Sequence, residues 1–176
     1  MTKFNAPSNI FKNWNKDIYI ATKGNVSHDG YNNEIVEYNK PFYFGKANYQ
    51  PLTRKDLEAF MQQYGETTNQ VVSFLTDYNN LGMFKEFDIA YLYGAYPYIQ
   101  TTDTKYQENV IYYKKTDDLF KQLVAGVDYT VGNDIETVLY NDEINYGDNA
   151  NYKIRAYKPQ NTKIMVILEE IIKEEN

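Results

Sequence analysis

The sequence predicts an α+β fold that is mostly β, a small antiparallel barrel or sandwich carrying a helical insertion. Three observations lead there. Short segments that alternate apolar or aromatic with polar residues recur between Gly, Asp, Asn and Pro turn signals. Only one segment holds a clean helical period. The 19 tyrosines and 9 phenylalanines suit pleated, half-buried surfaces better than helices. With 176 residues the chain has room for one well-packed core and is cramped for two, so residues 1–16 read as an N-terminal arm and residues 17–176 as a single β-rich domain.

In the arm, Phe4, Ile10, Phe11 and Trp14 are scattered among polar residues and need another surface to rest on. From Asp17 the chain turns strand-like: DIYIAT (17–22), a turn-rich GNVSHDGYNN, EIVEY (34–38) and PFYFGKANYQ (41–50), with Asp29 followed by Gly30 as a tight turn. A helix is predicted over 54–64. Thr53 caps it, Asp56 lies in the first turn, Leu57, Phe60, Met61 and Tyr64 fall at i, i+3, i+4 and i+7, and Gly65 stops it. TTNQVVSFLTDY (67–78) suits strand or helix and is taken as helical, which carries the helical insertion from 53 to about 80.

MFKEFDIAYLY (83–93) predicts a strand with Phe87, Ile89, Tyr91 and Tyr93 on one face and Asp88, Ala90 and Leu92 on the other. A polar loop (101–109) and a strand ENVIYYK (108–114) follow. TDDLFKQLVAG (116–126) reads as a second short helix near 117–125, capped by Thr116, with two aspartates at the positive end of its dipole and Gly126 as stop. VDYTV and ETVLY read as short strands, and NYKIRAY and TKIMVILEE as a closing hairpin across the KPQN turn, with Pro159 at its second position.

No apolar run approaches the ~18 residues needed to span a bilayer, and the first residues lack the apolar stretch of a signal peptide, so a soluble chain is expected, with no membrane partner. The absence of cysteine removes disulfides, thiolate metal sites and Cys nucleophiles. A net charge of −6 with only two arginines argues against nucleic acid as a partner. The charge is lopsided: residues 1–55 hold eight Lys/Arg against four acids, whereas residues 117–148 hold eight acids and only Lys121. Such patches can remain two solvated faces or meet between neighbouring copies.

Catalytic chemistry finds little to build on. His28, the only histidine, sits in the turn SHDG, where a solvent-exposed ring is expected rather than a catalytic one, and a single histidine cannot make an HExxH. Neither a Walker A nor a GxGxxG phosphate loop occurs, and no cofactor is implied. Glu86 and Asp88 share a strand face, but any acid in the chain could be named as readily for a glycosidase pair. In NDEINYGDN (141–149), Asp142, Glu143 and Asp148 offer hard oxygen ligands near a glycine, a candidate cation contact whose spacing matches no EF-hand loop. What remains is surface. YGAYPY (93–98) places Tyr93, Tyr96 and Tyr98 where Gly94 and Pro97 break a strand. With Phe87, Ile89 and Tyr91 taken as core, Tyr96 and Tyr98 are free to serve as interface anchors, and Tyr93, Phe11 and Trp14 join them as candidates.

The layout resembles a known family. A strand, a Gly/Asp-rich turn, a strand ending YQPL (49–52) followed by a helix, and a later strand after EFDIAYLYG is similar to the small head-closure and head-tail joining proteins of tailed bacteriophages. LVAGVDYTV (123–131) leading into GDNANYKIRAY (147–157) is also similar to short β modules of phage neck and tail proteins. The resemblance covers most of residues 17–170. It implies a structural, non-catalytic virion protein of the head-tail connector, a stopper or another neck or tail ring, located in the neck or tail region and assembled in the host cytoplasm. Its implied partners are copies of itself in a cyclic homo-oligomer and portal, tail or neck proteins. Ring contacts are heterologous and ask one subunit for two complementary patches. The competing expectation is a carbohydrate- or peptide-binding β-module, with Trp14 and the tyrosines of 91–98 stacking on sugar rings.

Overall fold

The computed structural model describes residues 15–117, 119–143 and 145–173. The arm bearing Phe4, Phe11 and Trp14 lies outside the described residues. The fold is mostly β, with an antiparallel sheet curled into a half-barrel. That sheet takes its seven strands from β1 (Lys16–Ala21), β4 (Phe42–Ala47), β5 (Gln50–Pro51), β6 (Val71–Asp77), β7 (Ile89–Tyr91), β12 (Tyr152–Gln160) and β13 (Lys163–Glu170), in the order β4-β1-β7-β12-β13-β6-β5. A four-stranded sheet orders β8 (Tyr98–Gln100), β9 (Tyr112–Thr116), β10 (Leu119–Gln122) and β11 (Tyr140–Asp142) as β10-β9-β11-β8. A hairpin of β2 (Lys23–His28) and β3 (Glu34–Tyr38) forms a separate two-stranded sheet, with Tyr38 packed on the core around Tyr19, Ile89 and Tyr91.

Three cores follow from which side chains the pleat sends to each face. Inside the half-barrel, Ile18, Ile20, Val72, Phe74, Ala90, Leu92, Ile154, Val166 and Leu168 pack together. Phe44 of edge strand β4 reaches Phe74 of β6 and Phe84, with ring centroids 5.7 and 6.0 Å apart, so the two sides of the curl meet through aromatic contacts. On the outer side, helix α1 (Arg54–Tyr64) lays Phe60, Leu57, Met61 and Tyr64 over Val71, Met165 and Ile167. The four-stranded sheet covers another part of that outer side, around Tyr19, Ile89 and Tyr91. Strand β13 is therefore buried on both faces from Ile164 to Leu168, which is why its sequence is an unbroken apolar run. Each such side chain stabilises the fold by roughly 1.5–3 kcal/mol relative to exposure.

The predicted helix over 54–64 forms as expected: the Thr53 side chain accepts from the Asp56 N–H, and Gly65 (φ 95°) closes the helix by donating to Met61 O. Several expectations are corrected. Residues 71–77 are strand β6, because Val72, Phe74 and Thr76 enter the half-barrel while Val71 meets α1, and a 3₁₀ turn (Tyr78–Met83) follows. The second helix does not form. Asp117 takes a left-handed φ of 54°, and residues 119–122 turn back as β10 against β9. The strand predicted over 83–93 shrinks to Ile89–Tyr91, because Phe87 (φ 73°) and Tyr93 (φ 54°) leave extended backbone at either end. Phe87 is exposed rather than core, whereas Ala90 and Leu92, on the other face, are fully buried. VDYTV is a turn held by a bridge between Ala125 and Tyr129, and β11 starts only at the last residue of ETVLY. The closing hairpin turns at Asn161 (φ 50°), leaving Pro159 within β12, opposite Ile164.

Candidate interaction surface

The segment 86–100 begins at a buried carboxylate. Asp88 accepts from the Lys23 N–H at 2.8 Å and the Lys85 N–H at 2.6 Å, which anchors the start of β2 and the turn before β7. Glu86 is exposed and Asp88 buried; both line one shallow groove with Lys23 and Lys85, but the Asp88 carboxylate is taken up by the two backbone N–H groups. At the far end of β7 the Asn151 side chain imitates a backbone rung: its Nδ2 donates to Leu92 O at 2.7 Å and its Oδ1 accepts from the Leu92 N–H at 2.8 Å. Tyr93 and Gly94, at φ 54° and 81°, are successive left-handed residues that reverse the chain.

That reversal decides the fate of the tyrosines. Tyr96 and Tyr98 swing back over the outer side of the large sheet, where Tyr19 meets them edge-on at 5.9 and 6.3 Å. Phe120 of β10 packs on both, at 5.1 and 4.7 Å, and Tyr113 of β9 on Tyr98 at 4.4 Å. The two rings are half-buried and bind the small sheet to the large one, so the expectation that they stand free as anchors is corrected. Burial pushes the Tyr98 hydroxyl pKa up to about 12, with Tyr113 adding to the shift. Tyr93 keeps an exposed flank, although its ring meets Tyr49 at 4.8 Å and Tyr152 at 5.8 Å.

The acidic candidates do not converge. Asp142 ends β11 and pairs with Lys40 at 3.3 Å, while Lys40 Nζ donates to Tyr113 Oη at 2.7 Å. Glu143 is buried: Oε2 accepts from Tyr91 Oη at 3.1 Å and Oε1 from the Asn149 N–H at 2.5 Å. Asp148 lies in the turn after it, its N–H donating to Asn145 O. Burial holds the Glu143 carboxyl above the usual range, and its nearness to Asp148 adds to this. Among the described residues, no three His, Asp or Glu side chains form a set able to hold a metal.

The outward face of the small sheet carries features that sequence reasoning missed. Tyr106 and Tyr129 stack at 4.3 Å with planes 16° apart, and Tyr112 meets both edge-on at 5.3 and 5.6 Å. These three rings clamp loops 101–111 and 123–139 to β9, and Tyr112 Oη donates to Asp103 at 2.8 Å. From the second loop projects a tight turn. The Val124 N–H donates to Asp128 Oδ2 (2.8 Å), the Asp128 N–H to Val124 O (2.8 Å) and the Gly126 N–H to Tyr129 O (2.8 Å), with Gly126 at φ 82°. At its tip Val127 is 81% exposed, and Val124 and Val131 beside it are also exposed. Beside the clamp runs a groove of about 950 Å³, lined by Tyr106, Tyr129, Lys114 and Lys121 among others. No periodicity marks these contacts, because they join two irregular loops.

Comparisons of the chain with protein families, with curated proteins and with solved structures found no match.

Proposed function

We propose that this chain is a non-catalytic assembly subunit that builds a ring in the head-tail connector of a tailed phage and joins portal to tail or neck proteins. The observation that carries the reading is the rigid turn presenting Val127. An aliphatic side chain 81% exposed at the tip of a turn closed by reciprocal Val124 and Asp128 hydrogen bonds is a preformed knob. Little conformational freedom is lost when such a knob enters a pocket, so most of its apolar burial is available to binding. Ile99, Leu119 and Val138 are further exposed apolar side chains in the part of the chain that carries the small sheet.

Two further features agree with an assembly role. Two carboxylates singled out in the sequence are spent on structure, Asp88 of the glycosidase pair on two backbone N–H groups and Glu143 of the candidate cation contact on Tyr91 and Asn149. The tyrosines nominated for sugar stacking are likewise spent, since Tyr91 is fully buried and Tyr96 and Tyr98 join the two sheets.

The test is association measured by mass photometry and sedimentation velocity, with Val127→Glu beside the wild type. The wild-type chain should assemble as concentration rises, whereas the variant should stay monomeric. Because Val127 touches solvent, the exchange should change fold stability by no more than about 0.5 kcal/mol. A variant that assembles like the wild type would remove the knob from the interface.

A further inference from the structure

The β9–β10 hairpin sets Lys114 directly opposite Lys121 on its outward face. Cross-strand partners stand about 5 Å apart at Cβ, and like charges in that position disfavour the hairpin. Neighbouring lysines are all engaged: Lys40 with Asp142, Lys105 with Asp134, and Lys115 over the Tyr96 ring at 4.6 Å. Beyond the backbone ladder, the Lys114 and Lys121 side chains have no ion-pair or hydrogen-bond partner among the described residues. Both line the 950 Å³ groove, whose lining also includes the stacked Tyr106 and Tyr129. Of the carboxylates lining it, Asp128 is bound to the Val124 N–H and Asp134 to Lys105, which leaves Glu136 as the one without a partner among the described residues.

We propose that this groove binds the phosphate group of a small phosphorylated ligand, held between the Lys114 and Lys121 ammonium groups. A phosphate monoester approaches two negative charges near neutral pH, and two opposed ammonium groups supply the matching pair. A single carboxylate would leave one of them uncompensated. Lysine meets phosphate as a compact point charge and needs no planar fork, whereas paired carboxylate recognition favours the arginine fork, which this groove lacks. The groove has the size of a small-molecule site, and a net charge of −6 repels extended polyanions such as nucleic acid. Thr116 and Thr130 add hydroxyl donors, and Tyr106 and Tyr129 add aromatic lining for the rest of the ligand. The proposal is independent of the assembly reading, since it concerns the isolated chain.

The experiment is isothermal titration of the full chain at low ionic strength with glucose 6-phosphate, inorganic phosphate and glucose. Glucose 6-phosphate should bind at one site, with an affinity that falls as sodium chloride is added, and glucose should not bind. Lys114→Gln and Lys121→Gln should each weaken binding by about tenfold, and the double variant should abolish it. Lys115→Gln, on the opposite face, should bind like the wild type. Without ligand, the single variants should melt no lower than the wild type, because the opposed charges are relieved, which separates lost binding from lost folding. Tighter binding of glucose 6-phosphate than of inorganic phosphate would place the sugar in the groove, and equal binding would confine the site to the phosphate group. No binding by the wild type at millimolar concentrations, or undiminished binding by the double variant, overturns the proposal.

Discussion

Tyr91 and Tyr96 stand five positions apart and do different work. Tyr91 lies in the middle of the large sheet, its hydroxyl donating to Glu143 and accepting from the Gly147 N–H at 3.2 Å. Tyr96 reaches the same core from a loop that has reversed direction at Tyr93 and Gly94. Replacing both Tyr96 and Tyr98 by Ala should therefore cost about 3 kcal/mol or more of fold stability, measured by urea unfolding. Unchanged stability would mean that the rings do not join the sheets. Glu143 gives a pH signature. Its folded pKa is raised above 4.5 by burial, so the native state holds this proton more tightly than the unfolded chain. Its contribution must then decline as pH rises from 4.5 through the folded pKa. Comparing urea midpoints across that window, wild type should lose stability relative to Glu143→Gln, which has no proton to release. Parallel pH profiles for the two proteins would contradict the assignment.

At the scale of the element, sequence signals succeeded where local chemistry and tertiary environment agreed. Thr53, the 3.6-residue apolar stripe and Gly65 fixed α1, and Thr53→Ala should cost about 1 kcal/mol through loss of the cap. The signals failed where the environment overrode them. Thr116 followed by two aspartates imitates a helix start, but the left-handed Asp117 makes it a hairpin turn. VVSFLTD has no clear alternation because β6 is covered on both faces at its start. KGNVSH gave no strand signal because β2 is mostly exposed and is held chiefly by pairing with β3. Of the interaction surface, the tyrosines were visible in the sequence and their direction was not, since two backbone angles at Tyr93 and Gly94 set it. One tertiary constraint can be tested directly. A Cβ on Gly147 (φ 108°) would lie 3.0 Å from Ile89 and 3.1 Å from Tyr38, so Gly147→Ala should lower stability by about 2 kcal/mol. A melting temperature equal to wild type would show that this contact yields freely.

For the whole molecule, the lopsided charge of the sequence is partly neutralised by folding. Lys40 from the basic early region pairs with Asp142 from the acidic late one, and Lys105 takes up Asp134. Charge complementarity between copies is thereby reduced, and the weight of the assembly account moves to the apolar turn at 124–131. Among the described residues, no helix is long and apolar enough to cross a membrane. The N-terminal residues 1–15 remain the second proposed contact, and deleting them should leave a folded domain that no longer assembles. The most direct measurement is the concentration dependence of the mass of the wild-type chain, with Val127→Glu as its internal control. The account predicts a closed, defined oligomer for the wild type and a folded monomer for the variant. A wild-type chain that stays monomeric at every concentration, alone and mixed with portal or neck proteins, would contradict it.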